Sequence, residues 1–230
     1  MTETALIVGA GPGLSSSLTY LLLKNKFKVA IAARNVVKLA TLAETSNVDV
    51  IACDARNINQ VQTLFKKLDK TLGTPDLVIY NPSARVRGGI GEVDPEDTQK
   101  AINITCFGAF LVAQEAAKRM VKRGSGSIFF TGASASVKGY ANSSVFAMGK
   151  FGLRGLAQAL ARELHPQNIH IGHFIIDGGI KADHRPERND PGDDSMLSPE
   201  AIAETYLQFH RQHRSSWSWE IELRPWLETF

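Results

Sequence analysis

Glycines 9, 11 and 13 and Arg34 are the residues whose types and spacing first point to chemistry. The run Gly9-Ala10-Gly11-Pro12-Gly13 follows the apolar stretch Thr4-Ala5-Leu6-Ile7-Val8. It precedes a helical pattern with Leu14, Leu18, Leu21 and Leu22 on one face. A glycine turn between a strand and a helix brings backbone N–H groups and the positive helix end to one point, where a dinucleotide pyrophosphate is held. A ligand-free tight turn is the alternative reading of the same residues. Ser15 ends the glycine pattern, so the closest helix-to-strand approach must take a small hydroxyl. At the end of the second apolar run the chain reads Ala32-Ala33-Arg34-Asn35, without an acid to accept from a ribose 2′-hydroxyl. Arg34 offers a 2′-phosphate two parallel charge-assisted bonds, which favours NADP(H) over NAD(H). The alternative is a solvated loop arginine.

The elements that must position these residues follow from periodicity. Lys28–Ala32, Val48–Ala52 and Leu77–Tyr80 read as strands after the first. Val36–Glu44 reads as a helix, and Asn57–Leu72 as another through Val61, Leu64, Phe65 and Leu68. Gly73-Thr74-Pro75 stops that helix. Pro95–Met120 reads mostly as one long helix, then come a strand from Ser127 to Thr131, a helix from Ser143 to Leu164 and a strand from Ile169 to Ile176. Ser198 suits an N-cap and Pro199 the first helical position of a last helix, and Glu220–Leu223 alternates like an edge strand. The strands are continuous apolar runs, as expected when helices cover both faces of a parallel sheet. The expectation is an α/β fold, a doubly wound and mostly parallel Rossmann-type sheet, with residues 1–230 as one domain. Residues 181–197 are expected to be a mobile substrate-side loop and 198–230 a closing helix and edge strand.

Composition removes other classes. Lys plus Arg number 26 against 23 Asp plus Glu, a formal charge of +3. The bases are scattered without interleaved aromatics, which argues against a nucleic-acid partner. The apolar cluster Leu18–Leu23 is too short to span a bilayer and no basic segment precedes it, which argues against a membrane or a secretion signal. Cys53 and Cys106 make no disulfide framework and lack metal-ligand spacing, so no metal is expected and a reducing, cytoplasmic location is.

With these residues in hand, the chain from about Thr4 to Ile180 resembles the short-chain dehydrogenase/reductase family. Gly9, Gly11, Pro12, Gly13 and Leu14 resemble its glycine motif. Asp54 and Ala55 stand where the family contacts the adenine. Asn81 and Pro82 stand in its Asn-Asn-Ala-Gly segment, of which only Asn81 is kept. Gly178, Gly179 and Ile180 fall where the family contacts the nicotinamide. Asn103 resembles its catalytic Asn, and Phe146-Ala147-Met148-Gly149-Lys150 occupies its Tyr-x-x-x-Lys position. The resemblance therefore implies Asn103, Phe146 and Lys150 at the catalytic positions, with Lys150 also on the cofactor ribose. It implies a homodimer or homotetramer formed through two long helices.

The resemblance breaks at the proton relay. Phe146 has no proton to give, and the position thirteen residues earlier, where the family has Ser, is Ala133. Ser134, Tyr140, Ser143, Ser144 and His184 are the alternative hydroxyl or imidazole groups, each also readable as a loop or capping residue. Arg85 and Arg87 would draw an acidic substrate or simply be solvated, and Trp217, Trp219 and Trp226 would pack a terminal strand. The leading expectation is hydride transfer between NADP(H) and a small carbonyl, alcohol or activated alkene, with a non-standard proton donor. The rivals are a cofactor-binding sensor or interaction module that has lost turnover, and a structural subunit.

Overall fold

The computed structural model describes residues 2–45, 47–182 and 194–229. Strands β1 (Thr4–Val8), β2 (Lys28–Ala33), β3 (Val48–Ala52), β4 (Leu77–Tyr80), β5 (Gly126–Thr131), β6 (Ile169–Ile176) and β7 (Glu220–Leu223) form one parallel sheet. Their order is β3-β2-β1-β4-β5-β6-β7. The chain winds outward from β1 in one direction and from β4 in the other. The seam between them is the switch point at whose carboxyl end open α/β sheets place ligands.

Alternate residues of each central strand enter opposite cores, because side chains leave a strand on alternate faces. Leu6 and Val8 face helices α3 (Ile58–Thr71), α5 (Gly108–Arg123) and α6 (Ser144–Leu164). Ala5 and Ile7 face helices α1 (Leu14–Lys24) and α7 (Pro199–His210). The caps are local chemistry. Asn57 accepts from Gln60 N to open α3, and Ser198 accepts from Ala201 N to open α7, with Pro199 at its first position.

Two expected helices are broken in two. The stretch from Val36 is a 3₁₀ turn, Val36–Leu39, followed by α2 (Ala40–Thr45). The long helix is α4 (Pro95–Ile102) and α5 with a π turn, Asn103–Phe107, between them. Within that turn the Tyr80 hydroxyl donates to Ile104 O. Gly108 carries no Cβ to collide with that hydroxyl. A buried phenol from β4 thus takes a carbonyl of the turn, which periodicity along one helix does not reveal.

The edge strand β7 pairs with β6. Trp217 stacks on His170 with ring centroids 4.6 Å apart, Trp219 packs against the core, and Trp226 is exposed. Among the described residues no helix is long and apolar enough to cross a membrane. The expected mobile loop falls largely on residues 183–193, outside the described residues.

Candidate functional site

A cleft of about 670 Å³ opens at the carboxyl ends of β1, β2, β3 and β4. Its floor is the glycine loop. Gly9 and Gly13 have φ of +82° and +94°, a region that penalises any side chain. A Cβ on Gly9 would lie 2.6 Å from Pro82 Cγ. Gly11, which lines the cleft, has nothing within 4 Å of where its Cβ would be, so the loop leaves a space there that a side chain would fill. No side chain caps α1 at Gly13, leaving the helix N-terminal amides to the cleft. Ser15 fits the tight approach by donating to Gly9 O at 3.2 Å. Asn81 Nδ2 donates to that hydroxyl at 2.8 Å, joining the end of β4 to the loop.

The rim is cationic. Arg34, Lys38, Arg56 and Lys181 line the cleft, and Asp54 is its one carboxylate among the described residues. Asp54 is held by Arg56, whose Nη2 donates to Oδ2 at 2.6 Å and whose Nε donates to Oδ1 at 3.0 Å. The Arg56 hydrogen bond keeps the Asp54 carboxyl below its usual range, against the opposing effect of burial. Burial, with the Asp54 charge adding, pushes the Cys53 thiol up to about 11, so Cys53 offers no thiolate. Leu14, Ala55, Pro82 and Ile180 also line this cleft.

A second cavity, of about 440 Å³, lies against α6. Phe146, Ala135, Ser134, Tyr140 and Ser143 line it, together with Arg85, Arg87, Ala141 and Asn142. The Arg85 guanidinium sits over the Phe146 ring, 4.1 Å from its centroid. Ala133 and Ala135 pack against the same ring. Arg85 and Arg87 are exposed and line this cavity.

One helical turn beyond Phe146, Lys150 is fully buried and donates from Nζ to Thr131 O at 2.6 Å. Burial, with the positive Arg85 adding, lowers its ammonium to about 7. Lys150, Asn103, Gly178 and Gly179 line neither cavity. Asn103 opens the π turn and its carbonyl accepts from Gly108 N. Ile104, next to it, lines the cleft, and Thr105 Oγ1 accepts from Ala84 N at 3.1 Å. Gly178 has φ +145° and would meet Pro225 if it had a Cβ. His184 lies outside the described residues.

Sequence reasoning missed a partly buried hydrogen-bonded series running from Arg154 to Ser136, the residue next to Ala135 of the second cavity. Arg154 donates to both Glu220 oxygens, at 2.6 and 2.8 Å. Glu220 Oε2 is 2.9 Å from His173 Nδ1, and His173 Nε2 is 3.3 Å from Ser136 Oγ, which accepts from Ala133 N. Burial lowers His173 to about 4 despite Glu220, whereas for Glu220 burial, the largest single effect, is outweighed only by Arg154 and His173 together, which hold its carboxyl below the usual range. A carboxylate only accepts, so neutral His173 carries its proton on Nδ1 and accepts from the Ser136 hydroxyl. Ser136 and His173 are both 0% exposed, so the series is a tie for the 133–136 loop and not a nucleophile. Nothing in the spacing of these four residues marks it, because each comes from a different element. Among the described residues no group of three or more His, Cys, Asp or Glu is placed to hold a metal.

Known proteins share this architecture. The short chain dehydrogenase family profile matches residues 3–192. Carbonyl reductase family member 4 of Xenopus laevis is 25% identical over 90% of this chain and 90% of its own. The crystal structure of a short-chain dehydrogenase from Rhodopseudomonas palustris is 33% identical, covers 97% of this chain and 99% of its own, and superposes with a TM-score of 0.83. A metagenomic short-chain oxidoreductase in complex with NADP shares the fold at a TM-score of 0.84, with 21% identity over 98% of each chain.

Proposed function

The chain belongs to the short chain dehydrogenase family, and from that premise we propose an NADP(H)-dependent oxidoreductase. It transfers hydride to or from a small carbonyl, alcohol or activated alkene, with a proton donor other than the family's Tyr. The observation that carries this reading is the shape and charge of the larger cleft. Its loop leaves open space over Gly11, its rim holds four cations, and its carboxylate is occupied by Arg56. In this reading the amides of the Gly9–Leu14 loop hold the pyrophosphate, and Arg34 with Lys38 holds a 2′-phosphate. Asp54, Ala55, Asn81, Pro82 and Ile180 border the remainder of the cofactor, while Gly178 and Gly179 line neither cavity and belong to the turn leading to Ile180. The bound NADP of the metagenomic oxidoreductase supports the same preference. When bound, the cofactor supplies or receives the hydride.

The chain's own residues must do the rest. Phe146 stands at the family's Tyr position and moves no proton. In this reading Lys150 reaches the ribose only by turning its buried ammonium away from Thr131 O, and Asn103 supports the helix turn beside it. The Tyr140, Ser134 and Ser143 hydroxyls share the second cavity with Phe146 and are the donors this reading considers. General acid catalysis contributes about 10²–10⁴-fold, so a poorly placed donor slows carbonyl reduction without abolishing hydride transfer.

Fluorescence titration with NADPH and NADH tests the cofactor, and a preference for NADH overturns the Arg34 assignment. A panel of carbonyl compounds with NADPH then compares wild type with Phe146→Tyr and Tyr140→Phe. Turnover by wild type that Phe146→Tyr changes little, and Tyr140→Phe lowers, supports Tyr140 as donor. An inert wild type that gains activity with Phe146→Tyr supports the second reading, a cofactor-binding protein with a disabled relay, which Phe146 itself favours. The small-molecule substrate is met by a homodimer or homotetramer in this reading. Exposed Phe107, Phe110, Met148 and Phe151 on the π turn, α5 and α6 support it, and sedimentation equilibrium measures it.

A further inference from the structure

We propose that Arg56 sets the base specificity of the larger cleft: by filling the acceptor sites of Asp54, it leaves the exocyclic amino group of the cofactor's adenine unread. This rests on the cofactor reading above and widens what that site accepts to dinucleotides with either an amino or an oxo group on the purine.

The occupancy of Asp54 carries the inference. An ionised carboxylate has about four lone-pair sites on its two oxygens. Oδ1 accepts from Arg56 N and Arg56 Nε, both at 3.0 Å, and Oδ2 accepts from Nε at 3.1 Å and Nη2 at 2.6 Å. One nearby residue therefore uses them all. The turn that carries the pair is itself pinned. Asp54 N donates to Gln60 Oε1 at 2.8 Å, and Asn57 N donates to Asp54 O at 2.9 Å. Both side chains line the cleft, and that of Asp54 is only 22% exposed, so the pair is largely shielded from water. A base amino group reaches this carboxylate only by displacing a guanidinium N–H. That exchange replaces part of a bidentate ion pair with a bond from a neutral donor.

The rest of this wall holds no side-chain oxygen that is not already engaged. Among the described residues lining the cleft at the ends of β2 and β3, only Asn35 and Asp54 carry one. Asn35 Oδ1 accepts from Val37 N at 3.0 Å, and Cys53 stays a thiol, a weak acceptor. Arg34, Lys38 and Arg56 only donate. The wall is made of donors and positive charge, which suits phosphate and ignores the donor on a purine edge. A site that hydrogen-bonds a group rejects the analogue lacking it by large factors, whereas a site without that bond tolerates the exchange.

Fluorescence titration with NADPH and with its hypoxanthine analogue, which has an oxo group in place of the amine, tests this by binding alone. Both carry the reduced nicotinamide that fluoresces. Wild type is expected to bind the two within about threefold of each other. Arg56→Ala uncovers the Asp54 carboxylate and should bind NADPH about fivefold or more tightly than the analogue. Adding Asp54→Ala to Arg56→Ala should bring the two affinities back within about threefold. A larger preference for NADPH in wild type overturns the inference and leaves the cofactor reading standing, and that comparison needs no variant. A smaller preference in Arg56→Ala, with thermal unfolding as in wild type, overturns the role of Arg56. If wild type prefers NADH, the 2′-phosphate assignment falls, and NADH with its own hypoxanthine analogue makes the same comparison. Binding of none of the four overturns the cofactor reading and this inference with it.

Discussion

The two cavities are built from different materials. The larger one is made of backbone: left-handed glycines, bare helix amides, and a short Gly9–Ser15–Asn81 hydrogen-bond series. The smaller one is made of side chains drawn from the 85–87 segment, the 134–135 turn and the start of α6. It is braced by Ser136, His173, Glu220 and Arg154. A backbone site tolerates few substitutions, because a Cβ in the wrong place displaces main chain. In a side-chain site, residues can be exchanged while the walls stand, which accommodates Phe146 and Ala133 packed together under Arg85.

The largest expected effect tests the backbone half. Gly9→Val places a branched side chain at φ +82° and against Pro82, whose ring and backbone nitrogen lie within 2.7 Å of the new Cβ. A strained backbone plus a collision costs about 3 kcal/mol or more, read as a fall in the urea midpoint together with loss of NADPH binding. Gly11→Val sharpens the comparison. Its Cβ meets nothing within 4 Å, so the urea midpoint should hold while NADPH affinity falls a hundredfold or more. If Gly11→Val binds NADPH as wild type does, the cradle does not hold the cofactor.

Acid should reach the side-chain half. Burial lowers His173 and His170 from 6.5 to about 4. Between those values the unfolded chain takes up protons that the folded chain refuses. Stability is therefore intact above about 6.5 and falls as the pH drops toward 4, by about 1.4 kcal/mol per pH unit for each histidine. Urea unfolding at pH 7 and pH 5 should differ by about 2 kcal/mol per histidine. His173→Gln should remove its own share of about 2 kcal/mol, and an equal midpoint at the two pH values would refute the neutral-histidine assignment.

The same contrast explains what the chain order made legible. Glycines 9, 11 and 13 between an apolar run and a leucine-striped helix announce their geometry, because the constraint is local. The strands were legible for a related reason, since parallel strands covered on both faces are continuous apolar runs. The π turn at Asn103–Phe107 was not, because the hydroxyl that takes its Ile104 carbonyl comes from β4. Nor was the placement of Arg85 over Phe146, or the tie through His173, since each joins residues from different elements. Arg56 was missed too, although it stands two residues after Asp54 and grips it through two nitrogens.

Ser136→Ala measures how much the brace contributes. It leaves the buried Ala133 N–H and His173 Nε2 without the hydroxyl that joins them. An unmade buried hydrogen bond costs about 1–3 kcal/mol, and thermal unfolding should show a loss in that range. NADPH affinity should hold, because none of the brace residues lines the larger cleft. A fall in NADPH affinity equal to the fall in stability would show that the two cavities are one mechanical unit.

Arg34→Glu is the smallest change and bears on the one side-chain-dependent feature of the backbone half. Arg34 is exposed at the rim of the cleft, so its bond to a phosphate competes with water and weakens with salt. Lys38 and Arg56 line the same rim and keep some of the attraction. The preference for NADPH over NADH should therefore drop about tenfold, equivalent to about 1.4 kcal/mol, with no change in thermal unfolding. A larger change would mean that Arg34 alone holds the 2′-phosphate. No change would move that role to Arg56, which Asp54 already holds in place.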